Sequence, residues 1–112
     1  MYRGEVATDF DRAMRLTSSV RNNSASAIDN LQSAVNYVKS LEIVEGSKVD
    51  SLGWCFGGDW SVQLALNSSE NPLAATIVYY GRPVTDTASL LASLGQYLVF
   101  SVTKIKRFRS NQ

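Results

Sequence analysis

The sequence predicts an α/β fold, a short parallel sheet flanked by helices, and three observations carry that expectation. Apolar residues recur at helical spacing in several segments, most clearly Ile28, Leu31, Val35 and Val38. Two runs, "AATIVYY" (74–80) and "YLVFSV" (97–102), combine β-branched and aromatic residues without polar alternation, the pattern of strands buried on both faces. Helix-sized segments separate the strand candidates, which implies right-handed crossovers and parallel pairing.

Taken in order, "DFDRAMRLTSSV" (9–20) predicts a short helix with Phe10, Met14 and Thr17 or Val20 on one face and Thr8 as N-cap. After a linker, "RNNSAS", the segment "AIDNLQSAVNYVKSL" predicts a second helix capped by Ser24 or Ser26. Gly46 and Ser47 break the pattern, and "KVDSLGW" is a brief strand with an unexpected charge, Asp50, in a place where a carboxylate is costly to bury. "GDWSVQLALNS" predicts a helix with Trp60, Leu64 and Leu66 together, ended by the break from Asn67 to Pro72. "GRPVTD" is a turn, "TASLLASLG" a further helix ended by Gly95, and "YLVFSV" the last strand. A sheet of three strands is thin, and its edges expose unpaired backbone groups unless something covers them, so self-association through those edges is expected.

With 112 residues and 45% hydrophobic content, the chain holds material for one small core. The net charge of +1 conceals an uneven distribution, because Lys104, Lys106, Arg107 and Arg109 crowd the last nine positions and leave seven basic against ten acidic residues before them. That basic end has Phe108 as its one aromatic and no recognition motif, so nucleic acid is not an expected partner. A single cysteine excludes an internal disulfide, and no Cys/His cluster has metal-ligand spacing. No cofactor or metal is expected. The N-terminal segment lacks an apolar signal core and no run approaches the roughly 20 apolar residues of a membrane span, so the expected location is the cytoplasm, with no membrane partner.

The densest chemistry lies in "VDSLGWCFGGDW" (49–60), where the one cysteine sits between a strand and a helix. A nucleophile at such a turn needs small residues two before and two after it, so that the chain bends without collision; Gly53 and Gly57 occupy those places, and Gly58 allows close helix packing. The helix beginning beneath Cys55 offers amide N–H groups and the positive end of its dipole to an anion. Rival motifs fit less well. A dinucleotide fingerprint has glycine where Cys55 stands, a P-loop needs Lys then Ser or Thr, and a cysteine phosphatase loop needs an arginine shortly after the thiol. A buried structural cysteine is the plain alternative, and a thiol redox or acyl-carrying site is another.

The elbow "GWCFGG", the helix before it and "ATIVYYGRPVTD" after it resemble, in the same order, the dienelactone hydrolase family of α/β-hydrolases. The resemblance runs from about Tyr2 to Leu94, so residues 1–95 read as the central part of such a domain, truncated at both ends relative to the family. It implies a partial α/β-hydrolase with a nucleophile elbow and a Cys-His-Asp triad that opens a lactone or ester through an acyl-thioester. Position by position, Cys55 resembles the nucleophile and the N–H of Phe56 one oxyanion donor, worth about 3 kcal/mol to a transition state. Trp54, Tyr80 and Arg82 fall where the family has pocket walls, Arg82 being suited to a substrate carboxylate; core packing for the first two and a solvated turn for the third are equally open. The implied partner is a small-molecule ester or lactone.

The chain departs from that pattern in one decisive respect: it contains no histidine, so it cannot complete a triad from its own residues and is expected to be inactive alone. A noncatalytic α/β module is the alternative. Residues 96–112 also depart, ending in the basic tail. One permitted choice of codons for Gln96 to Lys106, read two bases later, encodes Val-Phe-Gly-Ile-Phe-Gly-Asp-Lys-Asp-Lys, which resembles the Pro-Val-Leu-Gly-Ile-Phe-Gly strand that the family carries a few residues before its catalytic Asp. The tail therefore reads as a frame change near Gly95. Sequencing the coding DNA checks this: a single shift of frame restores an Asp and a downstream His, and its failure to do so removes the idea.

Overall fold

The computed structural model describes residues 4–82 and the backbone of 99–101. Two helices, α1 (Phe10–Arg21) and α2 (Ser24–Ser40), precede a single 3-10 turn at Gly46–Lys48, strand β1 (Ser51–Gly53), helix α3 (Phe56–Leu66) and strands β2 (Thr76–Val78) and β3 (Val99–Ser101). The α/β class is as the sequence predicts. The helix expected over 87–95 and the basic end from 102 onward lie outside the described residues.

The cap of α1 lies one residue later than expected. Asp9, not Thr8, is the N-cap: its Oδ1 accepts from the Arg12 N–H at 2.7 Å, and Thr8 Oγ1 donates to Asp9 Oδ2. Carboxylate and hydroxyl compete for one task here, and the carboxylate, as a charged acceptor near the positive end of the helix dipole, makes the stronger bond. The expected apolar face is also displaced. Phe10 is 77% exposed and Met14 exposed, while Val20 alone in α1 is buried.

The linker before α2 shrinks to Asn22 and Asn23, and Asn23 takes the N-cap position in place of Ser24 or Ser26, with no side-chain capping bond. Asn22 N–H donates to the Ser18 carbonyl and Asn23 N–H to the Val20 carbonyl, so the two helices meet in a tight backbone-paired corner. That corner brings Val20 and Ala27 against Trp60 of α3, with Ile28, Leu31 and Phe56 packed around them. Trp60 is edge-on to Phe56, with ring centroids 6.0 Å apart.

The three strands form one parallel sheet in the order β1-β2-β3. Ser51, Leu52 and Gly53 pair with Thr76, Ile77 and Val78, which in turn pair with Val99, Phe100 and Ser101. The two-residue period of a strand puts Gly53, Thr76 and Val78 on the face that α3 covers. Thr76 is fully buried, and its hydroxyl meets that of Ser51 at 3.0 Å, so neither polar group is stranded. Leu52 and Ile77 point to the other face, where Leu52 is exposed and Ile77 half-buried.

Strand burial on both faces therefore holds less widely than the composition implies. β2 ends at Val78, and Tyr79 and Tyr80 are exposed beyond it. Asp50 precedes β1 and is exposed, so its charge stays in water and the predicted burial cost does not arise. Leu66 is half-buried, less than its expected partners Trp60 and Leu64. No helix among the described residues is long and apolar enough to cross a membrane.

Core and surface differ sharply along the predicted apolar faces. Trp60→Ala is expected to lower stability by about 3–5 kcal/mol, against a change within about 0.5 kcal/mol for Phe10→Ala, as measured by urea denaturation.

Candidate active site

β1 leads straight into a bend whose tip is Cys55, and α3 starts at the next residue. Cys55 is the N-cap of α3 at φ 54°, ψ −124°, the one non-glycine residue with positive φ among those described. These angles lie close to the first central position of a type II′ turn, at about (+60°, −120°), which glycine dominates. A side chain held there costs on the order of 1–3 kcal/mol and persists only where its surroundings over-determine it.

Those surroundings are visible on both sides of the bend. A Cβ on Gly53 would lie 2.5 Å from Ser61 Oγ and 2.5 Å from the carbonyl carbon of Gly57, so β1 and α3 touch through bare backbone. One on Gly58 would come within 2.6 Å of the Tyr80 carbonyl oxygen and 3.1 Å of Val78 Cγ1. Gly57 differs from its expected role, since a Cβ there meets nothing within 4 Å among the described residues. Close approach, which only glycine permits, is thus required at Gly53 and Gly58 rather than at the symmetric pair around the cysteine.

Hydrogen bonds fasten the bend to the segment leaving β2. Tyr79 N–H donates to the Gly53 carbonyl at 3.1 Å, Cys55 N–H to the Tyr80 carbonyl at 2.6 Å, and Asp59 N–H to the Cys55 carbonyl at 3.2 Å. Asp59, 18% exposed in the first turn of α3, accepts the Arg82 N–H on Oδ1 at 2.5 Å. Its Oδ2 faces Arg21 Nη2 at 3.5 Å and Arg82 Nε at 3.8 Å. Arg21 also stands over the Phe56 ring, 5.1 Å from its centroid, a cation–π contact.

The sequence-derived candidates gather at one end of the sheet, the carboxyl ends of β1 and β2, where ligands enter open parallel sheets. Cys55 is exposed, which removes the alternative of a buried structural thiol. Trp54 is 58% and Tyr80 40% exposed, so neither serves as core packing. Arg82 is exposed, as a solvated turn residue is, with its backbone fastened to Asp59. Phe56 is the first residue of α3 and half-buried on the core cluster. Asp59 and Arg21 are functional candidates that only the structure singles out. Their sole sequence signals are an acidic residue in a first helical turn and a basic one in a last turn, which suit the helix dipole and say nothing of a tertiary pair.

A cavity of about 320 Å³ lies elsewhere, between α2 and the segment after α3, lined by Gln32, Asn36, Asn67, Glu70 and Asn71 among others. It shares no residue with the cysteine bend.

The glycine contacts separate two superficially alike positions. Gly53→Ala is expected to destabilise by about 1–3 kcal/mol or more through backbone overpacking, whereas Gly57→Ala should be neutral or stabilise by up to about 1 kcal/mol through helix propensity. Thermal denaturation of both variants checks this, and equal losses would contradict the geometry described.

Comparison with known proteins adds an independent line. No curated protein and no solved structure matches the chain. The family model described as dienelactone hydrolase family does match, over residues 1–104 of the 112, and so takes in both helices before the bend, the bend itself and all three strands. A partial α/β-hydrolase architecture and that match agree: the chain belongs to the dienelactone hydrolase family.

Proposed function

We propose that Cys55 is the nucleophile of a hydrolase of the dienelactone hydrolase type, acting on a lactone or ester, and that this chain alone carries out the first half of the reaction. The observation behind the reading is the exposed sulfur on a left-handed bend at the amino end of α3. There the thiol reaches a carbonyl from solvent, and the charge that develops on the carbonyl oxygen lies near helix amides, with the N–H of Phe56 as donor. Trp54 and Tyr80 supply apolar walls, and Arg82 draws a substrate carboxylate toward the bend.

The chemistry balances without a further reagent. Cys55 sulfur adds to the carbonyl carbon, and the tetrahedral adduct loses its ester C–O bond. The leaving oxygen takes the proton that the thiol gave up, departing as an alcohol from an ester or staying as a hydroxyl on the opened chain from a lactone. A thioester remains on Cys55. Its hydrolysis needs a base to activate water, and a chain with no histidine lacks the usual one, so turnover stalls at the acyl-enzyme.

A second reading is a noncatalytic module that associates with itself. Its support is the exposed row of Leu52, Trp54, Tyr79 and Tyr80 along β1 and the end of β2. One experiment separates the two. With 4-nitrophenyl acetate in excess, the wild-type chain is expected to release about one equivalent of nitrophenol per chain and then stop, with an acetyl group on Cys55 by mass spectrometry. Cys55→Ala should show no burst. Release independent of Cys55, together with a sedimenting mass above the monomer, would favour the module.

A further inference from the structure

We infer that Asp59 is a positioning residue for acylation, holding the elbow in its reactive shape by accepting the Arg82 backbone N–H. The inference rests on the nucleophile reading of Cys55 and adds to it a side chain that touches neither sulfur nor substrate.

Three features converge on its carboxylate. Oδ1 takes the Arg82 N–H at 2.5 Å, which ties the chain leaving β2 to the first turn of α3. Between those points lies Gly81, where an added Cβ would meet Asp59 Oδ1 at 3.0 Å, Asp59 N at 3.1 Å and the Cys55 carbonyl oxygen at 3.3 Å. The Tyr80–Arg82 segment therefore lies directly on the bend, and the Cys55 N–H bond to the Tyr80 carbonyl is the second tie of the same clamp. Oδ2 faces the Arg21 guanidinium, which stands over Phe56, the residue whose N–H is the proposed oxyanion donor.

The physical consequence follows from the strain at Cys55. A residue at φ 54° relaxes unless neighbours prevent it, and without an acceptor for Arg82 N–H one of the two ties is gone. Sulfur and amide then lose their fixed relation. Carbonyl addition needs both groups in register, because charge on the oxygen must meet the donor as the sulfur attacks. Displacement of iodide from iodoacetamide needs the sulfur alone. The two reagents thus distinguish a positioning effect from loss of access or of fold.

The test uses the full chain, with acylation by 4-nitrophenyl acetate and alkylation by iodoacetamide measured on each variant and the fold followed by circular dichroism. Asp59→Asn keeps an oxygen acceptor at the same place and removes both ion pairs, so its acylation rate is expected within about threefold of wild type, since such partly exposed pairs contribute little. Asp59→Glu keeps the charge and moves the acceptor by one methylene, and Asp59→Ala removes it. Both are expected to acylate about tenfold more slowly, the scale of a hydrogen bond to a charged group, with alkylation unchanged.

Wild-type acylation in Asp59→Ala would overturn the inference, as would parallel loss of both rates, or an Asp59→Glu variant that keeps acylation while Asp59→Asn loses it. If Asp59→Ala does not fold, the Asn and Glu pair decides by the same criterion. A wild-type chain that is alkylated at Cys55 and never acylated would instead overturn the nucleophile reading itself, a result distinct from all of these.

Discussion

A cysteine held at φ 54° is a local conformation that the backbone does not choose for itself, and most of the packing in the molecule bears on keeping it there. α3 lies on β1 where Gly53 meets the Gly57 backbone and Ser61, and on β2 where Gly58 meets the Tyr80 carbonyl and Val78, with no glycine side chain to hold them apart. The bend cannot flatten unless the helix lifts from the sheet, and the helix cannot lift without exposing the sheet face that carries Gly53, Thr76 and Val78. Burial of that face thereby sustains the strain at the sulfur. This coupling is how a small domain can hold one residue in an unfavourable geometry while remaining folded.

Charge refines what packing begins. Asp59 is partly screened from solvent between two guanidinium groups, and each comes from a different part of the chain: Arg21 from the end of α1, Arg82 from the turn beyond β2. The carboxylate also receives a backbone N–H, so one hydrogen bond and two ion pairs, from two segments, meet on it. Ion pairs of this exposure add little stability by themselves. Their value here is directional, since they converge on the one turn from which the sulfur emerges.

Much of this was legible from residues alone, and the parts that were not have specific physical causes. Helical periodicity located α2 and α3 because three- and four-residue spacing is a property of the segment itself. The strand–cysteine–helix bend was legible because glycines stand where close backbone approach demands them, although spacing could not tell that Gly58 is crowded and Gly57 open. The cap of α1 falls one residue later than expected because Thr8 and Asp9 are both good caps, and the charged Asp9 carboxylate makes the stronger bond to the Arg12 N–H. Phe10 and Met14 looked like core residues because amphipathic spacing marks a face and not what covers it. The pairing of Asp59 with Arg21 and Arg82 joins positions far apart in the chain, which no local pattern encodes.

The seating of α1 carries one more consequence. Its buried residue, Val20, and its link to the bend, Arg21, both lie in the last turn, while the opening turns show Phe10 and Met14 to water. The helix is thus fastened like a lever at one end. Unwinding can start at Asp9 and travel inward at small cost, in the manner of a weakly protected cooperative unit, and it reaches the rest of the molecule only when the last turn goes and Val20 leaves the core it shares with Ala27 and Trp60. The free end of α1 is insulated from the chemistry, and its final turn acts as the latch.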